Sequence, residues 1–220
     1  MACIAIGTHD KCVQVWVFDS NNCKLDPVFS KGYSTDKDII PKALAFDSNP
    51  ERDLHVFGLY DGGLYRCGGN DGKNISEFIL QTRMWVMPGI YRRRALLNNV
   101  CSRNAAVDVA RKICVIDNVG TGFDIYKMDS GILVRTLETG RAKKTFPKGV
   151  AFADNSRAVV GGSDHGLVYI FERKSGQVLK TLRHSKSGGV ETISVCLYIF
   201  SSQVFMVTVG RCATMTTGPS

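Results

Sequence analysis

The sequence predicts an all-β protein that is built from copies of one four-stranded antiparallel sheet. Four short apolar runs follow one another between residues 147 and 184, and turn-forming Gly, Asn, Asp and Ser residues separate them. Runs of β-branched and aromatic residues with such boundaries are typical of strands joined by tight turns. The same pattern recurs along the chain at a period of about 40 to 45 residues, which indicates the blades of a β-propeller.

The clearest copy spans residues 147–183. A shift of 45 positions aligns it without slippage to the copy at 104–138, so that Ile125 falls on Ile170. The predicted strands of the clearest copy are residues 149–152, 158–162, 167–171 and 178–182. An unbroken register from residue 125 to residue 137 indicates one structural module used twice.

Two further copies precede this pair. The copy at 41–81 opens on Pro41 and Lys42, as the clearest copy opens on Pro147 and Lys148. The copy at 1–30 is present only from its second strand, and residues 190–195 look like the first strand of another copy. We therefore predict a propeller of about four four-stranded blades within residues 1–195, either closed or an open, incomplete fragment of a larger ring.

Two segments match no part of the repeat. Residues 82–98 form an insertion, and residues 196–220 form a tail. Our hypothesis is that both are translated intron sequence in an incorrectly assembled gene product, because both break an otherwise regular period. Sequencing the spliced transcript tests it, and both segments in the message would end it. The apolar stretch at 193–209 is short for a bilayer crossing, so no membrane association is expected.

The charge of the chain raises the question of a polyanionic partner. The 220 residues carry a formal net charge of +8 at pH 7. Much of the positive charge lies in two clusters, one at 92–94 and one formed by Arg141, Lys143, Lys144 and Lys148. Neither cluster alternates with aromatic residues as in single-strand-binding surfaces, so solvated loops are the preferred interpretation over nucleic-acid binding.

Cysteine and histidine usage points away from a metal site. The eight cysteines form no CxxC pair and do not cluster with the four histidines in the sequence. We expect no zinc and no cofactor. The chain opens without a signal-peptide pattern, and the expected location is therefore the cytoplasm, the nucleus or both, where thiols stay reduced.

A family resemblance follows from the third strand of each copy. Residues 162–172, GSDHGLVYIFE, resemble the signature Gly-Ser-x-Asp-Gly-x-Val-x-Ile-Trp-Asp of the WD-repeat propellers, in a degenerate form. The family's tryptophan position is occupied by Trp16, Cys67, Tyr126 and Phe171 in the four copies. Its turn aspartate is Asp10 and Asp61 in the first two copies, and Gly120 and His165 replace it in the others. His184 lies near the position of the family's Gly-His dipeptide.

The resemblance implies a non-catalytic scaffold for protein–protein interaction, with a protein partner. It also implies structural roles for Asp10, Asp61, Ser163 and His184. The residues themselves agree with this, because the dispersed histidines and carboxylates form no nucleophile–base set, and we predict that the chain is not an enzyme. Self-association follows if the propeller is open, because the end blades would then lack neighbours.

The predicted contact surfaces are inter-blade loops. They are residues 34–40 and 141–146, with Tyr60, Tyr65 and Tyr169 as aromatic anchors if exposed and as blade-packing residues if not. The alternative function is binding of RNA or an acidic partner through the basic cluster at Arg141, Lys143, Lys144 and Lys148. A steep loss of binding with salt would favour this alternative, because phosphate contacts release counterions.

Overall fold

A computed structural model describes most of the repeating part of the chain. The described residues are 2–33, 40–47, 49–58, 63–79, 104–118, 120–140, 148–186, 188–198 and 204–210. All regular secondary structure in these ranges is β-strand, which confirms the predicted all-β class. The insertion predicted at 82–98 lies outside the described residues.

The strands form five antiparallel sheets in which chain order and spatial order agree. Sheet 1 contains β1 (Ala2–Gly7), β2 (Cys12–Asp19) and β3 (Lys24–Gly32). Sheet 2 contains β4 (Pro41–Phe46), β5 (Leu54–Gly58), β6 (Gly63–Cys67) and β7 (Asn74–Ile79). Sheet 3 contains β8 (Ala105–Asp108), β9 (Ile113–Asp117), β10 (Gly122–Lys127) and β11 (Leu133–Glu138). Sheet 4 contains β12 (Val150–Ala153), β13 (Ala158–Gly161), β14 (Leu167–Glu172) and β15 (Val178–Arg183). Sheet 5 is a hairpin of β16 (Thr192–Tyr198) and β17 (Val204–Gly210).

The sheets are arranged as the blades of a propeller. The first strand of each sheet contacts the first strand of the next, from β1 to β4, β8, β12 and β16 in turn. The five sheets do not close into a ring, so the fold is an open, propeller-like arc. Sheet 1 has three strands where sheets 2 to 4 have four, and β17 places a strand within the predicted tail at 196–220.

Apolar side chains fill each space between neighbouring sheets. Val13 and Val15 of sheet 1 pack on Leu54 and Val56 of sheet 2. The next two interfaces are centred on Phe57 with Tyr126 and on Phe123 with Phe171, and the last on Val160 with Val190. Strands β5 and β9 are buried at every position because both of their faces are covered. A strand covered on both faces has a continuous apolar run without alternation.

Tight turns close the individual hairpins. The turn after β14 is fixed by the carboxylate of Glu172, which accepts hydrogen bonds from the backbone N–H of Lys174 and of Ser175. Hydrogen bonds from Ser175 and Lys174 lower the pKa of Glu172 to about 2. The same turn is tied to the neighbouring sheet, since Arg135 donates to the carbonyl oxygen of Ser175 at 2.9 Å.

Candidate functional site

An open cleft lies where turns from three successive sheets meet. It has a volume of about 390 Å³, within the range of roughly 300–1,000 Å³ typical of small-ligand pockets. The end of β4, the β8–β9 turn and the β12–β13 turn each provide part of its wall. The lining residues are Ala45, Phe46, Val107, Asp108, Val109, Ala110, Arg111, Asn155 and Ser156. We call this the turn cleft.

The turn cleft has walls of mixed polar and apolar character and one internally neutralised ion pair. Asp108 and Arg111 bond through Oδ2 and Nη1 at 2.9 Å, and the backbone N–H of Arg111 donates to Oδ1 at 3.1 Å. Burial raises the pKa of Asp108, but hydrogen bonds from Ser156 and Arg111 outweigh it and leave the pKa below its ordinary value. The carboxylate is therefore charged and already engaged within the protein, and the cleft presents polar and apolar surface in similar amounts to an occupant.

The backbone beside the turn cleft is strained. Asp154, Asn155 and Ser156 all have left-handed φ values, of 50°, 47° and 57°. Three consecutive non-glycine residues in this region are uncommon, although Asp and Asn tolerate it better than Ser. The turn is held by Arg173, whose side chain donates to the carbonyl oxygen of Ser156, and by the bond from the Arg157 N–H to the carbonyl oxygen of Asp154 at 2.8 Å. Such strain concentrates at ligand-binding sites in proteins.

A second polar group lies in the β13–β14 turn. Asp164 Oδ1 is 2.7 Å from His165 Nδ1, and His165 Nε2 is 3.0 Å from the Tyr169 hydroxyl. Burial raises the pKa of Tyr169, and the charge of Asp164 adds to this effect. Ser163 Oγ accepts hydrogen bonds from the backbone N–H of Leu167 and of His165. The hydrogen bonds of Ser163 and the Asp164–His165–Tyr169 chain of contacts link the turn to strand β14.

Sheet 2 contains a further buried polar network. Arg66 binds the buried Asp53 through Nη2 at 2.7 Å and Nε at 3.0 Å. Asp47 lies 3.3 Å from His55 Nε2, and Asn49 donates to Asp53 at 2.9 Å. These contacts satisfy the hydrogen-bonding capacity of polar side chains in the β4–β5 turn and on strands β5 and β6. Their partners lie within the protein, so the network serves the structure of the turn.

Lys148 is placed differently from its prediction as part of a basic interaction loop. Its side chain is 3% exposed, and Nζ lies 2.6 Å from Oδ1 of the fully buried Asp117. The two side chains form a buried ion pair. The backbone N–H of Lys148 donates to Asp117 Oδ2 at 2.8 Å, and Nζ lies 5.8 Å from the centre of the Phe123 ring. The ammonium is enclosed by protein and unavailable to a partner. Arg141, Lys143, Lys144 and the loop at 141–146 lie outside the described residues.

Four residues occupy the position at which the WD-repeat signature has tryptophan. Cys67, Tyr126 and Phe171 lie inside the arc, and Trp16 lies in its first sheet. Tyr126 and Phe171 are buried between sheets, as is Cys67. Trp16 is half-buried, and its indole N–H finds no acceptor among the described residues.

The predicted turn residues lie at two separate places, Asp10 in the β1–β2 turn and Ser163 and His184 at the β13–β14 turn. Asp10 is exposed and accepts a hydrogen bond from the Thr8 hydroxyl. Ser163 is buried, whereas His184 is exposed and donates its backbone N–H to the carbonyl oxygen of Gly166 at 2.9 Å. Asp61 lies outside the described residues. The structure therefore does not bring Asp10, Ser163 and His184 together at one site.

The predicted aromatic anchors do not form an exposed set. Tyr65 is buried in the core between sheets 1 and 2 and so serves packing. Tyr169 is half-buried, bonded to His165 and stacked on Phe171 with ring centres 5.9 Å apart. Tyr60 and residues 34–39 lie outside the described residues.

Sequence reasoning missed the residues of the turn cleft and Asp117. The only sequence signal for the cleft was the Asp108–Arg111 spacing, which suits a turn with an internal ion pair, and it gave no sign that two other turns lie beside it. Among the described residues, no group of three or more His, Cys, Asp or Glu is placed to bind a metal ion. The same part of the chain has no helix that is long and apolar enough to cross a membrane.

Comparison with known proteins identifies the fold alone. No family model matches the chain, and a search of curated proteins gives no match. The chain is similar to the crystal structure of the computationally designed Ika8 protein, with a TM-score of 0.54 and 16% sequence identity. The alignment covers 96% of this chain and 55% of the designed one, so this chain spans about half the length of that protein. An open propeller-like fold is thus supported, whereas its function has to be argued from its surface.

Proposed function

We propose that this chain is a non-catalytic protein-interaction module of the WD-repeat type. The observation that carries the proposal is the turn cleft, a recess with mixed polar and apolar walls that three sheets build jointly. Its one ion pair is internally neutralised, and the Asp–His–Tyr group belongs to a different turn. The apolar part of this wall, which includes Phe46 and Val107, suits an apolar side chain presented by a partner's peptide segment, and the polar part suits the peptide's backbone.

The rigid surroundings of the cleft favour this use. Ala45, Val107 and Ser156 come from three different sheets, and each sheet is fixed to the next by a buried apolar interface. A preformed recess costs little conformational entropy when it binds, so a short peptide can be held without ordering the protein. In the same proposal the protein works in the cytoplasm or nucleus, where free thiols such as Cys114 stay reduced.

The test uses a random peptide library displayed on phage. The wild-type protein is the target, and Ala110→Arg is the counter-selection target, because Ala110 is exposed and an arginine there would fill the cleft. Gln177→Arg adds the same charge at an exposed turn of sheet 4 and serves as the matched control. We expect peptides with an apolar anchor residue that bind wild type and Gln177→Arg but not Ala110→Arg. Peptides that bind all three proteins equally, or no enriched peptides, would refute the proposal.

Binding of RNA or an acidic partner remains the second candidate, supported by the net charge of +8. Burial of Lys148 removes one member of the basic cluster from this candidate and leaves Arg141, Lys143 and Lys144. Binding of a labelled single-stranded RNA is measured between low and high salt for wild type and for a triple variant with these residues changed to Gln. A steep salt dependence that the triple variant weakens would favour this candidate over the scaffold.

A further inference from the structure

The outermost strand of sheet 4, β15, is exposed along its whole length. It pairs with β14 on one side, and no other described strand lies beside it. All six of its residues are exposed, and among its aliphatic side chains Leu179 reaches 60% exposure. An open strand edge of this kind is a template for pairing with another chain unless the protein blocks it.

The backbone of β15 directs hydrogen-bonding groups away from sheet 4. The N–H of His184, just beyond the strand, donates to the carbonyl oxygen of Gly166 at 2.9 Å and so points toward β14. The pairing with β14 is regular from Lys180 to Arg183, and backbone groups alternate in direction along a strand. The N–H and C=O groups of Thr181 and Arg183 therefore point outward. A strand added at this edge can exchange hydrogen bonds with both residues.

The outer strands of sheets 1 to 3 differ from β15 in residues that oppose such pairing. β3 contains Asp26 and Pro27, β7 contains Glu77, and β11 contains Glu138. Proline has no N–H to donate, and a carboxylate repels an acidic residue placed opposite it. β15 contains neither a proline nor an acidic residue, so its edge is open to a strand of negative charge.

Charge decides which strand fits this edge. β15 carries Lys180 and Arg183, and residues 173–190 include no Asp or Glu. Lysine on an edge opposes pairing with other strand edges, and like charges opposite each other destabilise a strand pair. A second copy of β15 would bring like charges to the shared edge. An acidic strand would instead place a carboxylate opposite each cation, which stabilises the pair.

The two cations lie on opposite faces of sheet 4. Lys180 and Leu182 pair with Ile170 and Val168, which pack in the interface with sheet 5, so both lie on that face. Arg183 is the next residue after Leu182 and lies on the other face. A partner strand that answers both cations therefore needs a carboxylate on each of its own faces.

We propose that β15 binds an extended acidic segment of a partner protein by strand addition. In an antiparallel pair, the partner residues opposite Arg183 and Lys180 are separated by two positions. The recognised sequence is an acidic residue, an apolar residue opposite Leu182, a strand-forming residue opposite Thr181, and a second acidic residue. Main-chain hydrogen bonds supply affinity in this mode of binding, and the side chains supply specificity.

This surface is separate from the turn cleft and extends the protein's interactions beyond the proposed function. No residue that lines the cleft belongs to β15. Ala110→Arg, which fills the cleft, should therefore bind an acidic strand as the wild type does.

The experiment measures the fluorescence anisotropy of a labelled peptide, Thr-Val-Glu-Val-Thr-Glu-Val-Thr, with the full chain. We expect saturable binding. Methylating the backbone nitrogens of the first Glu and of the Thr between the two Glu residues removes the N–H groups that face Arg183 and Thr181. We expect this change to weaken binding at least roughly tenfold. Methylating the Val that lies between those two residues is the matched control, because its N–H points away from β15.

Variants of the protein test the same contact from the other side. Thr181→Pro removes an outward N–H that the sheet does not use, and we expect at least a roughly tenfold loss, whereas Thr181→Ala should bind as wild type. Lys180→Glu and Arg183→Glu should each weaken binding about three- to tenfold. Lys127→Glu makes the same charge change at an exposed residue of sheet 3 and is the matched control.

Three results would overturn the proposal. The first is an absence of saturable peptide binding to the wild type. The second is an affinity that methylation of the Glu and Thr nitrogens leaves unchanged, since the contact would then not be strand pairing. The third is a labelled single-stranded RNA that binds more tightly than the peptide and loses affinity with Arg183→Glu but not with Thr181→Pro, which would make this edge a polyanion site.

The methylated peptides keep the test valid if circular dichroism shows that Thr181→Pro fails to fold, because they are measured with the wild type. Failure at β15 would leave the peptide selection at the turn cleft unaffected, because only the cleft responds to Ala110→Arg.

Discussion

Replacing Lys148 by Met tests whether this lysine belongs to the structure or to a surface. Methionine keeps most of the aliphatic stem, so the change removes the charge without opening a large cavity. It leaves the fully buried Asp117 carboxylate without the ammonium that lies 2.6 Å away. Breaking a buried pair by removing one partner costs about 3–5 kcal/mol. The backbone N–H of residue 148 still donates to Asp117, so we expect a loss near the lower limit, about 3 kcal/mol.

The assay is denaturant unfolding together with a thermal scan. A loss of about 3 kcal/mol corresponds to a fall in melting temperature of about 6–12 °C for a domain of this size. Lys180→Met, on the exposed strand β15, is the control and should change stability by no more than about 0.5 kcal/mol. The double variant Lys148→Met with Asp117→Asn should recover part of the loss, because the uncompensated charge is gone while the side chain can still accept the backbone hydrogen bond.

The pH dependence gives an independent check. In Lys148→Met the folded state takes up a proton on Asp117 more readily than the unfolded state does, because burial penalises the unpaired charge. The folded state of the variant then binds more protons than its unfolded state, so its free energy of unfolding rises as pH falls. The difference in stability between the variant and the wild type therefore becomes smaller at low pH. An unchanged melting temperature, with no pH-dependent gap, would refute the buried pair and return Lys148 to the basic surface.

Three further predictions concern the inter-sheet cores and one turn. Burial raises the pKa of the Cys114 thiol to about 12. A thiol reagent at pH 8 should therefore modify the exposed Cys23 in the native protein and Cys114 only after unfolding. Equal rates of modification of the two thiols in the native protein would contradict this. Gly161→Ala would place a Cβ 2.1 Å from the ring of the buried Phe123, and we expect a loss of about 1–3 kcal/mol in denaturant unfolding; a neutral result would show that the ring moves freely. The pKa of Glu172 is lowered to about 2, so its stabilising effect is present above its unfolded pKa of 4.5 and is lost as pH falls toward 2. NMR titration of Glu172 checks this value, Glu172→Gln should flatten that part of the stability–pH curve, and an ordinary titration would disprove the turn contact.

Local pattern was sufficient to predict individual strands. The four strands predicted for the clearest copy, at 149–152, 158–162, 167–171 and 178–182, differ from β12, β13, β14 and β15 by one residue at their ends. The turns between them contain Gly, Asn, Asp and Ser because those residues tolerate the required backbone angles. The repeat period then made an open or closed propeller the natural architecture, and the structure has an open one.

The candidate site could not be predicted in the same way. Asp117 precedes Lys148 by 31 residues and reaches it from the neighbouring sheet, so the sequence around Lys148 shows only another cation in a basic loop. The turn cleft likewise joins Phe46, Asp108 and Asn155, which lie in three separate copies. Each turn has an ordinary local sequence, and the recess exists only because the three first strands lie side by side.

By itself, the sequence determined the strands, the turns and their repetition, because these depend on residues that are close together in the chain. Only the tertiary structure decided which faces are covered, because burial depends on whether a neighbouring sheet is present. Trp16 and Phe171 illustrate the difference. They occupy equivalent positions in two copies, yet Phe171 is enclosed by sheet 3 whereas Trp16 lies on a face that no described sheet covers.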